Sequence, residues 1–232
     1  MNRIVNVFDK SAQTCIALII GGDPDIETTE KLIVTLADSG ADIVAVGIPF
    51  SDPVAEGAVR EAAHMRALTN GCTVDTLFEM LEKIKDKVDI PIMFLTYANP
   101  VFVYGKERFM ERCIKCGIDG IIVPDLPYEE KGELSDICKN AGVLLIPLIA
   151  PASPERIKMI TIEAEGFIYC MSPEAVGQVK SVSAIPCVIG TQNAVAEANG
   201  LIIDNAIIQL VSEHGRDSVE PVKMFMDSYS KK

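Results

Sequence analysis

The chain has 232 residues, 49% of them hydrophobic, and its 33 acidic against 21 basic side chains give a formal charge of −12. That is enough apolar material for a full core. Its acidity argues against nucleic acid and against an anionic membrane surface, both of which are held by Lys and Arg.

No apolar run approaches the roughly 20 residues needed to span a bilayer, and the first ten residues lack the long apolar centre of a signal peptide. The seven cysteines form an odd set spread through apparent core elements and helices, the pattern of reduced thiols rather than of a disulfide framework. A cytoplasmic protein is expected.

Taken in chain order, short β-rich runs at 15–20, 43–46, 92–95, 120–123, 143–147, 167–170, 187–189 and 201–203 alternate with helical patterns. Ile26, Ile33, Leu36 and Ala37 trace one apolar stripe; Leu77, Met80, Leu81, Ile84 and Val88 trace another at helical spacing. Cys113 and Cys116 have redox or zinc spacing but lie inside an amphipathic pattern with Phe109, Met110 and Ile114. With no second Cys pair or nearby His, no metal is expected there. His64 and His214 sit among polar helical residues and are expected to be solvated. Ser153-Pro154-Glu155 supplies an N-cap, a first-turn Pro and a first-turn acid for a helix.

Apolar strands alternating with helices imply a parallel sheet covered by helices. Eight of them without a dinucleotide fingerprint favour an α/β fold of the (β/α)8 barrel type in a single domain, 1–232. The late crossovers are thin. Residues 171–184 leave room for a short helix at 174–181, and 190–199 leave only 192–198, while a parallel crossover normally takes a dozen residues or more. Shortened or missing helices after the sixth and seventh strands are expected, with the barrel open or deformed on that side and apolar strand faces exposed.

Several strings fall just past the strands. They are Gly22-Asp23-Pro24, Pro49-Phe50-Ser51-Asp52-Pro53, Ala67-Leu68 with Gly71, Thr96-Tyr97-Ala98-Asn99-Pro100, Val123-Pro124-Asp125-Leu126-Pro127, Ala150-Pro151 and Gly166-Phe167-Ile168-Tyr169. In this order they resemble the tryptophan synthase α-subunit family, (β/α)8 barrels that cleave indole-3-glycerol phosphate to indole and glyceraldehyde 3-phosphate without a cofactor.

The resemblance implies a catalytic glutamate where this chain has Ala45 and a second carboxylate at Glu56. It implies pocket walls at Leu18, Leu95, Tyr97 and Tyr169, with Asp125 among the substrate-binding set. Asp52 and Pro53, with the segment after Asn99-Pro100, would face a tryptophan synthase β-subunit. The family's glycine-rich phosphate turns are not matched. The sixth turn starts at Ser172-Pro173, the seventh at Gly190, and Asp204 and Asn205 stand where the eighth turn would have Gly and Ser.

A helix N-terminus favours an anion by about 0.3–1 kcal/mol, up to ~2 when partly buried. A fixed carboxylate about 4 Å from a phosphate charge costs on the order of 4 kcal/mol at an effective dielectric near 20. Phosphate binding is therefore expected to be lost, with Asp204 or Asn205 capping its own helix. Losing an aligned acid–base group at position 45 removes a factor of roughly 10²–10⁴ in rate.

The expected function is a weak or non-catalytic paralogue that binds a β-subunit. Two alternatives stand: an active indole-3-glycerol-phosphate lyase, or a barrel repurposed for an unphosphorylated, indole-like small molecule.

Overall fold

Strands that are apolar on both faces can be buried only by a sheet wrapped in helices, and the chain folds accordingly. The computed structural model describes residues 2–10, 13–54, 56–190 and 195–229. Its strands are β1 (Thr14–Ile20), β2 (Ile43–Gly47), β3 (Ile92–Leu95), β4 (Ile118–Ile122), β5 (Leu144–Ile146), β6 (Leu148–Ile149), β7 (Ile168–Cys170), β8 (Cys187–Gly190) and β9 (Gly200–Ile203). Their order is β5-β4-β3-β2-β1-β9-β8-β7-β6, and every neighbouring pair is parallel.

The two ends of that order, β5 and β6, are separated in the chain by Pro147 alone. Proline carries no N–H for a ladder and bends the strand there. One bent stave therefore pairs with β4 below the proline and with β7 above it. This joins the two ends of the order into a ring of eight staves; on the side expected to be open or deformed, β7 pairs with β8 and β8 with β9, so it is not open.

The helices are α1 (Arg3–Lys10), α2 (Ile26–Asp38), α3 (Ala58–Thr69), α4 (Val74–Ile84), α5 (Ala98–Tyr104), α6 (Lys106–Cys116), α7 (Gly132–Ala141), α8 (Pro154–Ile162), α9 (Pro173–Val182), α10 (Asn205–His214) and α11 (Val219–Tyr229). Their starts are chemically marked. Asp25 accepts from the Thr28 amide, Thr73 and Thr76 form a reciprocal box, Ser153 accepts from the Arg156 amide, and Ser172 accepts from that of Ala175.

The sixth crossover helix is not stunted. Ser172 and Pro173 start α9 early, and it runs for 10 residues, as long as α7. The seventh crossover differs. Part of the expected 192–198 helix lies outside the described residues, and 195–199 form turns. Asn199 ties the neighbouring strands together there. Its carbonyl accepts from the Thr14 amide at 2.8 Å, and its side-chain oxygen accepts from the Cys187 amide at 3.0 Å and from Lys180 Nζ at 2.5 Å.

The outer faces of β8 and β9 are covered rather than exposed: Ile189 and Leu201 pack in a buried cluster with Val176, Val179 and Ala198, against which Val195 and Tyr229 also lie.

Below the ring, α1 acts as a plug. Ile4 is fully buried, and a Cβ added at Gly120 would lie 2.8 Å from its side chain. Arg3 clamps Asp119 with Nε–Oδ1 at 2.9 Å and Nη2–Oδ2 at 2.7 Å.

Cys113 and Cys116 are buried free thiols on the inward face of α6; burial pushes both up, Cys116 to about 11. Among the described residues, no helix is long and apolar enough to cross a membrane, and no cluster of three or more His, Cys, Asp or Glu is arranged to hold a metal ion.

Candidate functional site at the barrel mouth

Strand register decides which side chains enter the lumen. Leu18 pairs with Ala45 and Ala45 with Met93, so these three share a face. A Cβ built at Gly21 would touch both Val46 and Leu77 of α4, which places Val46 on the helix side. Alternation then turns Ala45 inward. Leu95 lies two residues beyond Met93, on the same face, and Tyr97 two residues beyond that; Tyr169 shares the face of Leu148 and Val188. The lumen thus carries a buried methyl at Ala45 and the expected walls Leu18, Leu95, Tyr97 and Tyr169, all at most 7% exposed.

Glu56 is a buried centre rather than a solvated loop acid. Its side chain is 3% exposed. Tyr97 Oη donates to Glu56 Oε1 at 2.5 Å, and His64 Nε2 lies 2.7 Å from Oε2. The Phe50 amide donates to His64 Nδ1 at 3.2 Å, so the ring proton sits on Nε2 and points at the carboxylate.

His64 is 1% exposed, which corrects the expectation that it is solvated; His214, at the end of α10, is exposed as expected. Burial raises the Glu56 carboxyl. The hydrogen bond from His64, the Arg60 charge and the hydrogen bond from Tyr97 outweigh it and hold the group below its ordinary value. Burial, reinforced by the facing Glu56, pushes the Tyr97 phenol up.

Arg60 reaches across the mouth. Its Nη1 lies 3.9 Å from Glu56 Oε1 and its Nε 3.6 Å from Asp204 Oδ2, with the Arg60 side chain 11% exposed. Asp204 caps α10: its Oδ1 accepts from the Asn205 amide at 2.5 Å.

The expected capping role of Asp204 holds. The expectation of an unopposed negative charge needs correction, because Arg60 faces that carboxylate. The Asn205 amide at the start of α10 is already occupied by Asp204. Tyr169 completes the group beside Arg60 and Asp204. Burial raises its phenol, Arg60 offsets this in part, and Asp204 adds to it. A Cβ at Gly190 would lie 2.8 Å from Tyr169 Oη, so the close approach of that phenol requires glycine.

The other expected site residues stand apart from this network. Asp125 is exposed, and its Oδ1 accepts from the Ala98 amide at 2.9 Å, capping α5. Asp52 is exposed and accepts from Ser51 Oγ at 2.5 Å; Pro53 is half-buried beside it. Sequence reasoning missed Arg60 and His64, although the spacing held a signal. Glu56, Arg60 and His64 stand four residues apart in turn, the interval that stacks side chains on one helix face.

The fold is a (β/α)8 barrel with a polar constellation at the C-terminal ends of its strands, where enzymes of this architecture carry their chemistry. The family model for the tryptophan synthase alpha chain matches residues 5–188. A tryptophan synthase alpha chain from Alkaliphilus metalliredigens is 38% identical over 251 aligned positions, covering 97% of this chain and 94% of that protein. The alignment is longer than the 232 residues present, so the relative carries insertions that this chain lacks.

The crystal structure of tryptophan synthase subunit alpha from Legionella pneumophila superimposes with a TM-score of 0.91 at 31% identity, covering 100% of this chain and 98% of that one. A chain of tryptophan synthase from Mycobacterium tuberculosis, in its aminoacrylate-bound form, gives 0.90 at 28% identity, covering 99% of each chain. The chain belongs to the tryptophan synthase alpha chain family.

Proposed function

We propose that this barrel keeps the partner-binding role of its family and has lost efficient cleavage of indole-3-glycerol phosphate. The observation that carries the proposal is the state of Glu56. Both carboxylate oxygens are occupied, by Tyr97 and by His64, and the group is held ionised by its surroundings. A carboxylate so engaged makes a poor proton shuttle, because protonating it would disrupt the buried hydrogen bonds and the nearby Arg60 charge that favour its ionised form.

Position 45, where the family resemblance calls for the other carboxylate, offers only a buried methyl. At the opposite rim Asp204 uses the Asn205 amide that would otherwise hold an anion.

The docking face supports the other half of the reading. Val54 is 57% exposed, Phe102 41% and Val103 82%, in the two segments that the family resemblance turns towards a β-subunit. Exposed apolar side chains of this size in segments that follow the second and third strands suit a protein partner. One of the structural relatives is a chain of the tryptophan synthase complex from Pyrococcus furiosus, with a TM-score of 0.89 at 28% identity. A barrel that binds one conformation of a β-subunit better than another shifts that subunit's equilibrium without making indole.

Calorimetry against a tryptophan synthase β-subunit, paired with an assay of indole release, tests the reading. Binding at micromolar concentration or tighter is expected, with release at least about a hundredfold below that of a typical alpha chain. Turnover within about tenfold of such a chain would restore the lyase, and no binding would remove the partner role.

A further inference from the structure

The bent stave has a second consequence on the outside of the barrel. Ladder pairing between β4 and β5 ends at Ile122 and Ile146, and past Pro147 the chain leans over to pair with β7. Above that level the segment following β4 and the segment carrying β6 part company. A cavity of about 330 Å³ fills the split and reaches α8. Four prolines, Pro124, Pro127, Pro147 and Pro151, form much of its wall, with Leu126, Leu148 and Ile160. Proline offers no backbone N–H, so at these four positions the wall presents apolar ring carbons.

Two ion pairs cross the rim. Arg156 of α8 grips Glu129 with Nη1–Oε1 at 2.6 Å and Nη2–Oε2 at 3.0 Å. In the opposite sense, Lys131 reaches Glu163 at the end of α8, with its ammonium 4.2 Å from the centre of the Tyr128 ring. The four charges cancel. All four side chains are at least 30% exposed, so the pairs are weak and readily screened, and they open at small cost.

We propose that this split is a second ligand site, gated by the two ion pairs, for a small uncharged aromatic molecule. The volume lies at the lower end of the roughly 300–1,000 Å³ typical of small-molecule sites. The proline faces and the Tyr128 ring suit a flat ring system. A rim whose charges compensate one another gives no gain to an ionic ligand, and burying a charge against proline and leucine is unfavourable. The site is separate from the mouth and stands whether or not the β-subunit reading does.

Indole is a suitable probe, because the chain contains no tryptophan and the ligand's own emission can be read without background. A saturable blue shift with a dissociation constant on the order of 0.1 mM is expected for nine heavy atoms. Indole-3-acetate and tryptamine, which carry charge, should bind several-fold more weakly. Ala164→Phe, which fills the cavity from the turn that follows α8, should weaken indole at least tenfold while the circular dichroism melt confirms folding.

Should that variant fail to fold, a crystal soaked with 5-bromoindole decides by the position of the bromine, expected in the split between Pro127 and Ile160 of α8. Bromine only in the lumen, indole binding unchanged in Ala164→Phe, tighter binding of either charged analogue, or no saturation at millimolar indole would each overturn the proposal.

Discussion

The imidazole of His64 and the carboxylate of Glu56 are locked together inside the mouth, Nε2 to Oε2 at 2.7 Å, with both side chains at most 3% exposed. The Phe50 amide fixes the ring from behind. Glu56→Gln would replace an acceptor pair by one acceptor and one donor, and its NH₂ would face either the His64 N–H or the Tyr97 hydroxyl. A loss of about 1–3 kcal/mol at neutral pH is expected, the cost of a buried donor left unmatched.

The pH dependence has a definite sign. The folded-state pKa of Glu56 lies below its ordinary 4.5, so its contribution is fully present above the unfolded value and is lost as pH falls through the folded one. Urea titrations across the acid range should show the wild type losing stability more steeply than Glu56→Gln as pH falls from the ordinary value towards the lower folded one. Parallel slopes would mean that the carboxylate is not held ionised by its neighbours.

Arg60 sits 3.9 Å from Glu56 and 3.6 Å from Asp204, and its Nε has no hydrogen-bond partner among the described residues. Arg60→Met keeps much of the packing and removes the charge. Two largely buried carboxylates would then lose their shared cation, and about 1–3 kcal/mol of stability should go, at the low side for a buried pair because the geometry is loose. The Tyr169 phenol, which Arg60 pulls down against burial, should titrate at higher pH. Chemical denaturation and a spectrophotometric tyrosinate titration read the two effects. A stabilised variant with an unchanged phenol would show that Arg60 is a desolvation cost and not a bridge.

The barrel was legible because its strands are apolar on both faces and its loop strings fall at regular intervals. Lumen walls such as Leu18, Leu95, Tyr97 and Tyr169 followed, since strand period and family register agree on them. Closure was misjudged because the thin crossovers at 171–184 and 190–199 read as leaving their strands apart, whereas β7, β8 and β9 pair in parallel and the connecting segments are held by bonds such as those of Asn199. His64 was misread because the charged Arg60, Glu61 and Arg66 of α3 suggested a solvated face, although its own side chain turns inward with Ala63 and Ala67. Asp125 marks the converse limit. A family string fixes where a residue stands in the chain, while local donors decide what its carboxylate does, here capping α5. The small asparagine that ties β8, β9 and β1 together carries no pattern at all, because its bonds go to backbone groups from distant segments.

At the other end of the barrel, Asp119→Ala should release the α1 plug. That carboxylate accepts two bonds from Arg3 and one from the Ile92 amide at 3.2 Å. Arg3 is 41% exposed and regains water when freed, so most of the loss falls on the buried Ile92 N–H. A decrease of about 1–3 kcal/mol is expected, with Arg3→Ala costing less, about 1 kcal/mol or below. Hydrogen exchange at Ile92 should accelerate in the Asp119 variant and stay near wild type in the Arg3 variant. Equal protection in both would assign the plug to Ile4 packing alone.

Ala45→Glu asks whether the missing side chain is the only deficiency. Position 45 is fully buried, in register with Leu18 and Met93, so a carboxylate there enters an apolar layer and adds volume. Destabilisation of about 1–3 kcal/mol is expected from overpacking, and burial should hold the new group protonated well above the ordinary carboxylate range. Such a group can donate a proton, yet Glu56 remains committed to Tyr97 and His64, and Asp204 still occupies the Asn205 amide. Indole release from indole-3-glycerol phosphate should therefore stay within about tenfold of the unsubstituted protein, far short of the 10²–10⁴ that an aligned acid–base group contributes. Recovery of the full factor by this one change would show that the mouth is intact apart from residue 45, and would overturn the proposed reason for the loss of cleavage.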